Sequence, residues 1–143
     1  MTAPVLPAVP VFVAEDQSDI LQLLTSVLTD AGFAVTAARS GEEAITMLDS
    51  GGTGYRALIT DVNLRGKLSG WDVARHARET NDLLPVLYMT GASAHEWGSR
   101  GVPGSVLLLK PFAMSQVVAA LSQLVTAGAT LATNTAAIDA AAG

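Results

Sequence analysis

The sequence has no cysteine, which removes disulfides, thiolate nucleophiles and cysteine metal sites together. The redox compartment stays open, but redox chemistry by the protein itself is not expected. Aromatic residues are scarce, at 5% of a chain that is 50% apolar, so the interior has to be built mainly from Val, Leu, Ile and Ala. Such a core suits helices stacked on strands. Long apolar runs are missing as well. None approaches the roughly 20 residues needed to cross a bilayer, and residues 1–10 carry no basic residue ahead of their apolar part. The expectation is a cytoplasmic protein without a membrane partner. Basic clusters are also lacking: the net charge is −5 and the eight Lys and Arg are scattered, whereas nucleic-acid binding needs them gathered on one face. No nucleic-acid partner is expected. His76 and His95 lie in separate segments with no repeated metal-ligand spacing, and read as solvated surface residues.

What is present is a regular alternation within 143 residues, a length that fits one domain with one continuous core. Val11-Phe12-Val13-Ala14 is short, apolar and bounded by carboxylates, as in a strand buried on both faces. Ile20, Leu23, Leu24, Val27, Leu28 and Ala31 then recur at helical spacing, with Gly32 placed for a left-handed cap. Residues 33–38 read as a weaker second strand. Ser40-Gly41-Glu42-Glu43 has the capping-box pattern of a helix through about Leu48. Ala57-Leu58-Ile59-Thr60 forms a third strand ending at Asp61, and Ser69 is placed to cap a helix over residues 70–80. Val86-Leu87-Tyr88-Met89 is a fourth strand ending at Thr90. Residues 93–104 are broken by Gly98, Gly101, Pro103 and Gly104 and hold at most one short helix. Val106-Leu107-Leu108-Leu109 is the fifth strand, and a last helix closes the domain near Thr126. The organisation expected is a flexible lead over residues 1–8, a domain over 9–126, and a flexible or frayed Ala-rich tail over 127–143.

Short apolar strands alternating with helices imply a doubly wound α/β fold, a parallel sheet with helices on both faces. In such sheets ligands bind beyond the carboxyl ends of the strands. At that edge fall Glu15 and Asp16 after the first strand, Asp61 after the third, Thr90 after the fourth and Lys110 after the fifth. Three carboxylates brought together repel one another unless a cation neutralises them. Mg²⁺ is the natural candidate, being a hard ion that takes one or two carboxylates together with waters and phosphoryl oxygens. Asp61 is then placed as a carboxylate nucleophile toward phosphorus, with Lys110 and the Thr90 hydroxyl stabilising charge on the equatorial oxygens. Gly91 has no side chain to obstruct the approach.

Ala14-Glu15-Asp16, Leu58-Ile59-Thr60-Asp61, Met89-Thr90-Gly91-Ala92 and Leu109-Lys110-Pro111-Phe112 together resemble the receiver domains of two-component response regulators, over about residues 9–125. The resemblance implies a flavodoxin-like order of five strands and an aspartyl-phosphate at Asp61. It implies Mg²⁺ held by Glu15, Asp16, Asp61 and the main-chain carbonyl of Asn63, phosphate contacts from Thr90 and Lys110, and a cis Lys110-Pro111 peptide. The implied partners are a sensor histidine kinase or a histidine phosphotransfer protein and a downstream protein target. The chain is expected to be a monomer or weak dimer.

Two features depart from the family pattern. The aromatic residue usual three positions before the lysine is Leu107 here, so a phosphorylation signal is expected through residues 90–100 instead. The loop after Asp61 lacks the usual proline and is about one residue longer, with Arg65 and Lys67 placed to meet an acidic partner. No output domain is read after the receiver, so the function expected is that of a single-domain response regulator signalling through partners or draining phosphate from a kinase. A Mg²⁺-dependent phosphatase with an aspartyl-phosphate intermediate would want a second acid near Asp61, and Asn63 cannot serve. A phosphate-independent interaction domain would not need the acid, threonine and lysine set. Trp71 reads as packing over the sheet, and Trp97 as either local packing or a partner contact.

Overall fold

Apolar runs without polar alternation place side chains on both faces of a sheet. In the computed structural model, which describes residues 7–51 and 54–133, the runs form β1 (Val9–Ala14), β2 (Phe33–Ala38), β3 (Leu58–Asp61), β4 (Val86–Thr90) and β5 (Val106–Leu109). Between and after them come α1 (Ser18–Asp30), α2 (Gly41–Gly51), α3 (Gly70–Thr80), α4 (Trp97–Arg100), which a 3-10 turn at Ala94–Glu96 leads into, and α5 (Met114–Thr133). All pairings are parallel, in the order β2-β1-β3-β4-β5. The flavodoxin-like doubly wound sheet expected from the sequence is therefore present. Strand order reverses around β1, which lies between β2 and β3, and there the carboxyl ends open a crevice.

Each central strand feeds two cores in alternation. Phe12, Leu58, Val86 and Tyr88 pack with Ala44 of α2 and Trp71, Val73, Ala74 and Ala77 of α3. Val11, Val13, Ile59, Leu87 and Met89 pack on the other face with Leu24 and Leu28 of α1 and Val117 and Leu121 of α5. The few aromatics concentrate on the first face, where Trp71 stacks obliquely on Tyr88 with ring centroids 4.6 Å apart. The weaker sequence signal of β2 has a physical reason: it is an edge strand, and its middle residues are only partly buried.

The helix starts follow their local chemistry. Ser69 Oγ accepts from Asp72 N at 3.4 Å while Asp72 Oδ2 accepts from Ser69 N at 2.8 Å, a complete capping box in which aspartate replaces the longer glutamate. At α2, Ser40 Oγ accepts from Glu43 N at 3.0 Å. Gly32 takes positive φ after α1, and Lys110-Pro111 is cis.

Three sequence expectations shift. α2 runs to Gly51 rather than Leu48, and α5 continues to Thr133, past Thr126. His76 is not simply solvated: its Nε2 lies 2.7 Å from Asp49 Oδ1, joining α3 to α2. Residues 1–6 and 134–143, where most of the lead and tail were expected, lie outside the described residues. Among the described residues no helix is long and apolar enough to cross a membrane.

Candidate functional site

The sheet delivers every candidate to one edge. β1 ends at Ala14 and hands Glu15 and Asp16 to the crevice, the turn being held by Glu15 N donating to Ala38 O at 3.0 Å. β3 ends on Asp61, whose register partner in β4 is Met89, one residue before Thr90. Thr90 pairs with Leu109, and Lys110 N donates to Thr90 O at 3.0 Å. Strand pairing thus sets the lysine beside the threonine and the threonine one step from the aspartate.

Glu15, Asp16 and Asp61 each offer a carboxylate oxygen within 4.8 Å of the other two. Glu15 and Asp61 are buried, at 0% and 3% exposure. Lys110 Nζ donates to Asp61 Oδ2 at 2.8 Å, and Asn63 N donates to Asp61 Oδ1 at 3.2 Å, so both oxygens of this carboxylate are held. Glu15 is the misfit. Its Oε2 accepts from Gln17 N at 3.1 Å, but its Oε1 is buried without a hydrogen-bond partner among the described residues. Burial pushes the Glu15 carboxyl up to about 7 and the negative charge of Asp61 adds to that, while the Gln17 amide and Lys110 pull it back.

One lysine against three acids leaves the cluster short of positive charge. A hard divalent cation answers both deficits, because it would take up the orphaned oxygen and offset the mutual repulsion. The cluster's donors fit Mg²⁺: three carboxylates that offer oxygen alone, open to solvent through the partly exposed Asp16. Asn63 is exposed beside Asp61. Thr90 is fully buried, and its Oγ1 accepts from Ser93 N at 3.2 Å, which leaves the hydroxyl proton available to an acceptor in the crevice.

All six candidate residues named from the sequence fall at this one edge of the sheet. Other contributors escaped that reading. Gly70, taken only as the first residue of a helix, is a close-approach position: a Cβ there would overlap the Asp61 carbonyl oxygen, and Gly70 N donates to Val62 O at 2.8 Å. The Glu42 carboxylate reaches from α2 to Lys67 N at 2.9 Å and holds the loop after Asp61 at Gly66, whose φ of 96° favours glycine. No sequence signal marks such long-range partners. At Gly91 a Cβ would meet Lys110 at ordinary contact, 3.7 Å from its Cβ. Trp97 is 38% exposed and its indole N–H donates to Ser105 Oγ at 3.0 Å. Arg65 and Lys67 are exposed.

Known proteins agree with this geometry. Residues 11–122 match the family model described as the response regulator receiver domain. The transcriptional regulatory protein CusR of Escherichia coli K12 is 31% identical over 119 residues, which cover 82% of this chain and 51% of that protein. The chain therefore spans about half the length of the curated relatives it matches. A response regulator receiver protein from Sinorhizobium medicae superimposes with a TM-score of 0.80 at 45% identity, covering 85% of this chain and 97% of that one. The chemotaxis response regulator CheY4 of Vibrio cholerae gives 0.72 at 25% identity, covering 82% and 98%. By its sequence match and by an acidic pocket at the carboxyl edge of a flavodoxin-like sheet, the chain belongs to the response regulator receiver domain family.

Proposed function

We propose that Asp61 is the phosphoacceptor in a Mg²⁺-dependent transfer from a sensor histidine kinase or a histidine phosphotransfer protein, and that the phosphorylated chain acts through protein partners. The observation that carries the reading is the Lys110 Nζ to Asp61 Oδ2 contact of 2.8 Å inside the three-carboxylate cluster. A carboxylate steered by an ammonium and packed against two further acids is poor as a structural ion pair but well placed as a nucleophile.

An Asp61 carboxylate oxygen forms the new bond to phosphorus as the phosphorus–nitrogen bond to the donor imidazole breaks, the bonding pair leaving on that nitrogen. Little covalent work falls to the protein, so alignment and charge compensation dominate. Lys110 and the Thr90 hydroxyl serve the phosphoryl oxygens. Glu15, Asp16, Asp61 and the Asn63 carbonyl would hold Mg²⁺, which when bound neutralises charge building on the phosphoryl group. The downstream step is either engagement of a protein target or drainage of phosphate from a kinase. A cytoplasmic monomer or weak dimer suits both, and nothing in the scattered basic residues favours nucleic acid.

Incubation with Mg²⁺ and acetyl phosphate, followed by intact mass, tests the reading. One added phosphoryl group in the wild type, absent from Asp61→Asn, is the expected result. Continuous hydrolysis of metabolite phosphates would favour a phosphatase, and a wild type that never gains mass would favour a phosphate-independent interaction domain.

A further inference from the structure

β3 and β4 end at Asp61 and Thr90, Val62 N still donating to Met89 O at 3.1 Å, and the segments that follow run into loops. A hydrogen bond joins those loops again: the Ser93 hydroxyl donates to Asn63 Oδ1 at 3.1 Å, across 30 residues of sequence. Ser93 N also donates to Thr90 Oγ1 at 3.2 Å, and Asn63 N donates to Asp61 Oδ1 at 3.2 Å. The bonds run from the carboxylate of Asp61 through Asn63 and Ser93 to the hydroxyl of Thr90. Asp61 and Thr90 are both buried, whereas the Ser93 hydroxyl and Asn63 side chain meet at the solvent edge.

We propose that Ser93 is a positioning residue for phosphoryl transfer to Asp61. Its main chain orients the Thr90 hydroxyl, which by accepting one bond keeps its single proton for a phosphoryl oxygen. Its side chain fixes Asn63, whose main chain in turn orients the Asp61 carboxylate. Both sides of the incoming phosphoryl group are thereby registered against each other before reaction, where misalignment is expensive. The inference rests on the reading of Asp61 as phosphoacceptor.

The test measures the rate of phosphoryl gain from acetyl phosphate with Mg²⁺ for the wild type, Ser93→Ala, Ser93→Thr, Asn63→Ala and the Ser93→Ala/Asn63→Ala double variant. In each reaction the Asp61 oxygen bonds to phosphorus as the phosphorus–oxygen bond to acetate breaks, and acetate leaves with the pair. Loss of one neutral hydrogen bond should slow either alanine variant about fivefold. The double variant should be no slower than the singles, because both remove the same bond. Ser93→Thr keeps the hydroxyl and should react near the wild-type rate, with melting temperature and Mg²⁺ affinity unchanged in both single Ser93 variants.

Wild-type rates in Ser93→Ala, losses that multiply in the double variant, or a Ser93→Thr as slow as Ser93→Ala would each overturn the proposal. Should Ser93→Ala fail to fold, Asn63→Ala breaks the same bond from the other side, and its reaction at the wild-type rate would be equally fatal. A wild type that never gains the phosphoryl group is a different outcome: it removes the phosphoacceptor reading, and Ser93 with it.

Discussion

Tyr88 and Leu107 are register partners across β4 and β5, and it is the β4 residue, two positions before Thr90, that carries the ring. The ring is fully buried, it leans on Trp71, and its hydroxyl accepts from Val102 N at 3.1 Å. Leu107 packs against the same core. The aromatic missing from β5 is thus matched by one on the neighbouring strand, tied to the segment between α4 and β5. Tyr88→Phe should leave the fold intact and cost about 1 kcal/mol, the worth of one hydrogen bond. Denaturant unfolding measures the loss, and faster amide exchange at Val102 would place it. Leu107→Tyr should cost about 1–3 kcal/mol by overpacking against Tyr88, part of which Tyr88→Leu in the same molecule should recover.

The metal-free protein should lose stability as pH rises. Glu15 ionises near 4.5 when unfolded and near 7 when folded. Below about 4.5 it is protonated in both states and costs nothing. Between 4.5 and 7 the unfolded chain releases the proton first, so stability declines through this window and levels off above it. Added Mg²⁺ should reverse the slope, because it binds the ionised cluster. Melting curves at pH 5 and pH 8, with and without Mg²⁺, check both statements. Glu15→Gln should flatten the metal-free dependence and weaken the response to Mg²⁺.

Lys110→Ala removes the one cation that touches Asp61 among the described residues. Phosphoryl gain from acetyl phosphate should slow by about tenfold or more, the scale of a charge-assisted hydrogen bond in the transition state. Mg²⁺ should still bind, since Lys110 repels it. A variant that lost Mg²⁺ affinity in parallel with rate would assign the lysine to the wrong step.

Gly70→Ala places a methyl group into the Asp61 carbonyl. The first turn of α3 must then move away from β3, at about 1–3 kcal/mol. The same displacement shifts the peptide that carries the nucleophile. Slower phosphoryl gain and a lower melting temperature should appear together, whereas Gly91→Ala, which meets only ordinary contact, should show little of the second.

The sheet was legible in the residues alone, because buried parallel strands need uninterrupted apolar runs and helices need periodic ones; Leu58-Ile59 and Leu24 with Leu28 announce themselves. The acids, Thr90 and Lys110 were legible as a set too, because each lies at or within two residues of a strand's end and parallel strands end at one edge. Contacts that the loops make with distant segments were not legible there. Ser93 with Asn63 and Glu42 with Lys67 are ordinary polar residues far apart in the chain, and only the packing of α2, β3 and β4 brings them within hydrogen-bond reach. Gly70 looked like a helix start because the Asp61 carbonyl against it belongs to another element. Tyr88 looked like one more strand residue until the register of β4 on β5 set it beside Leu107. Local chemistry is written along the chain, while distances between loops come from the rigid sheet that spaces them.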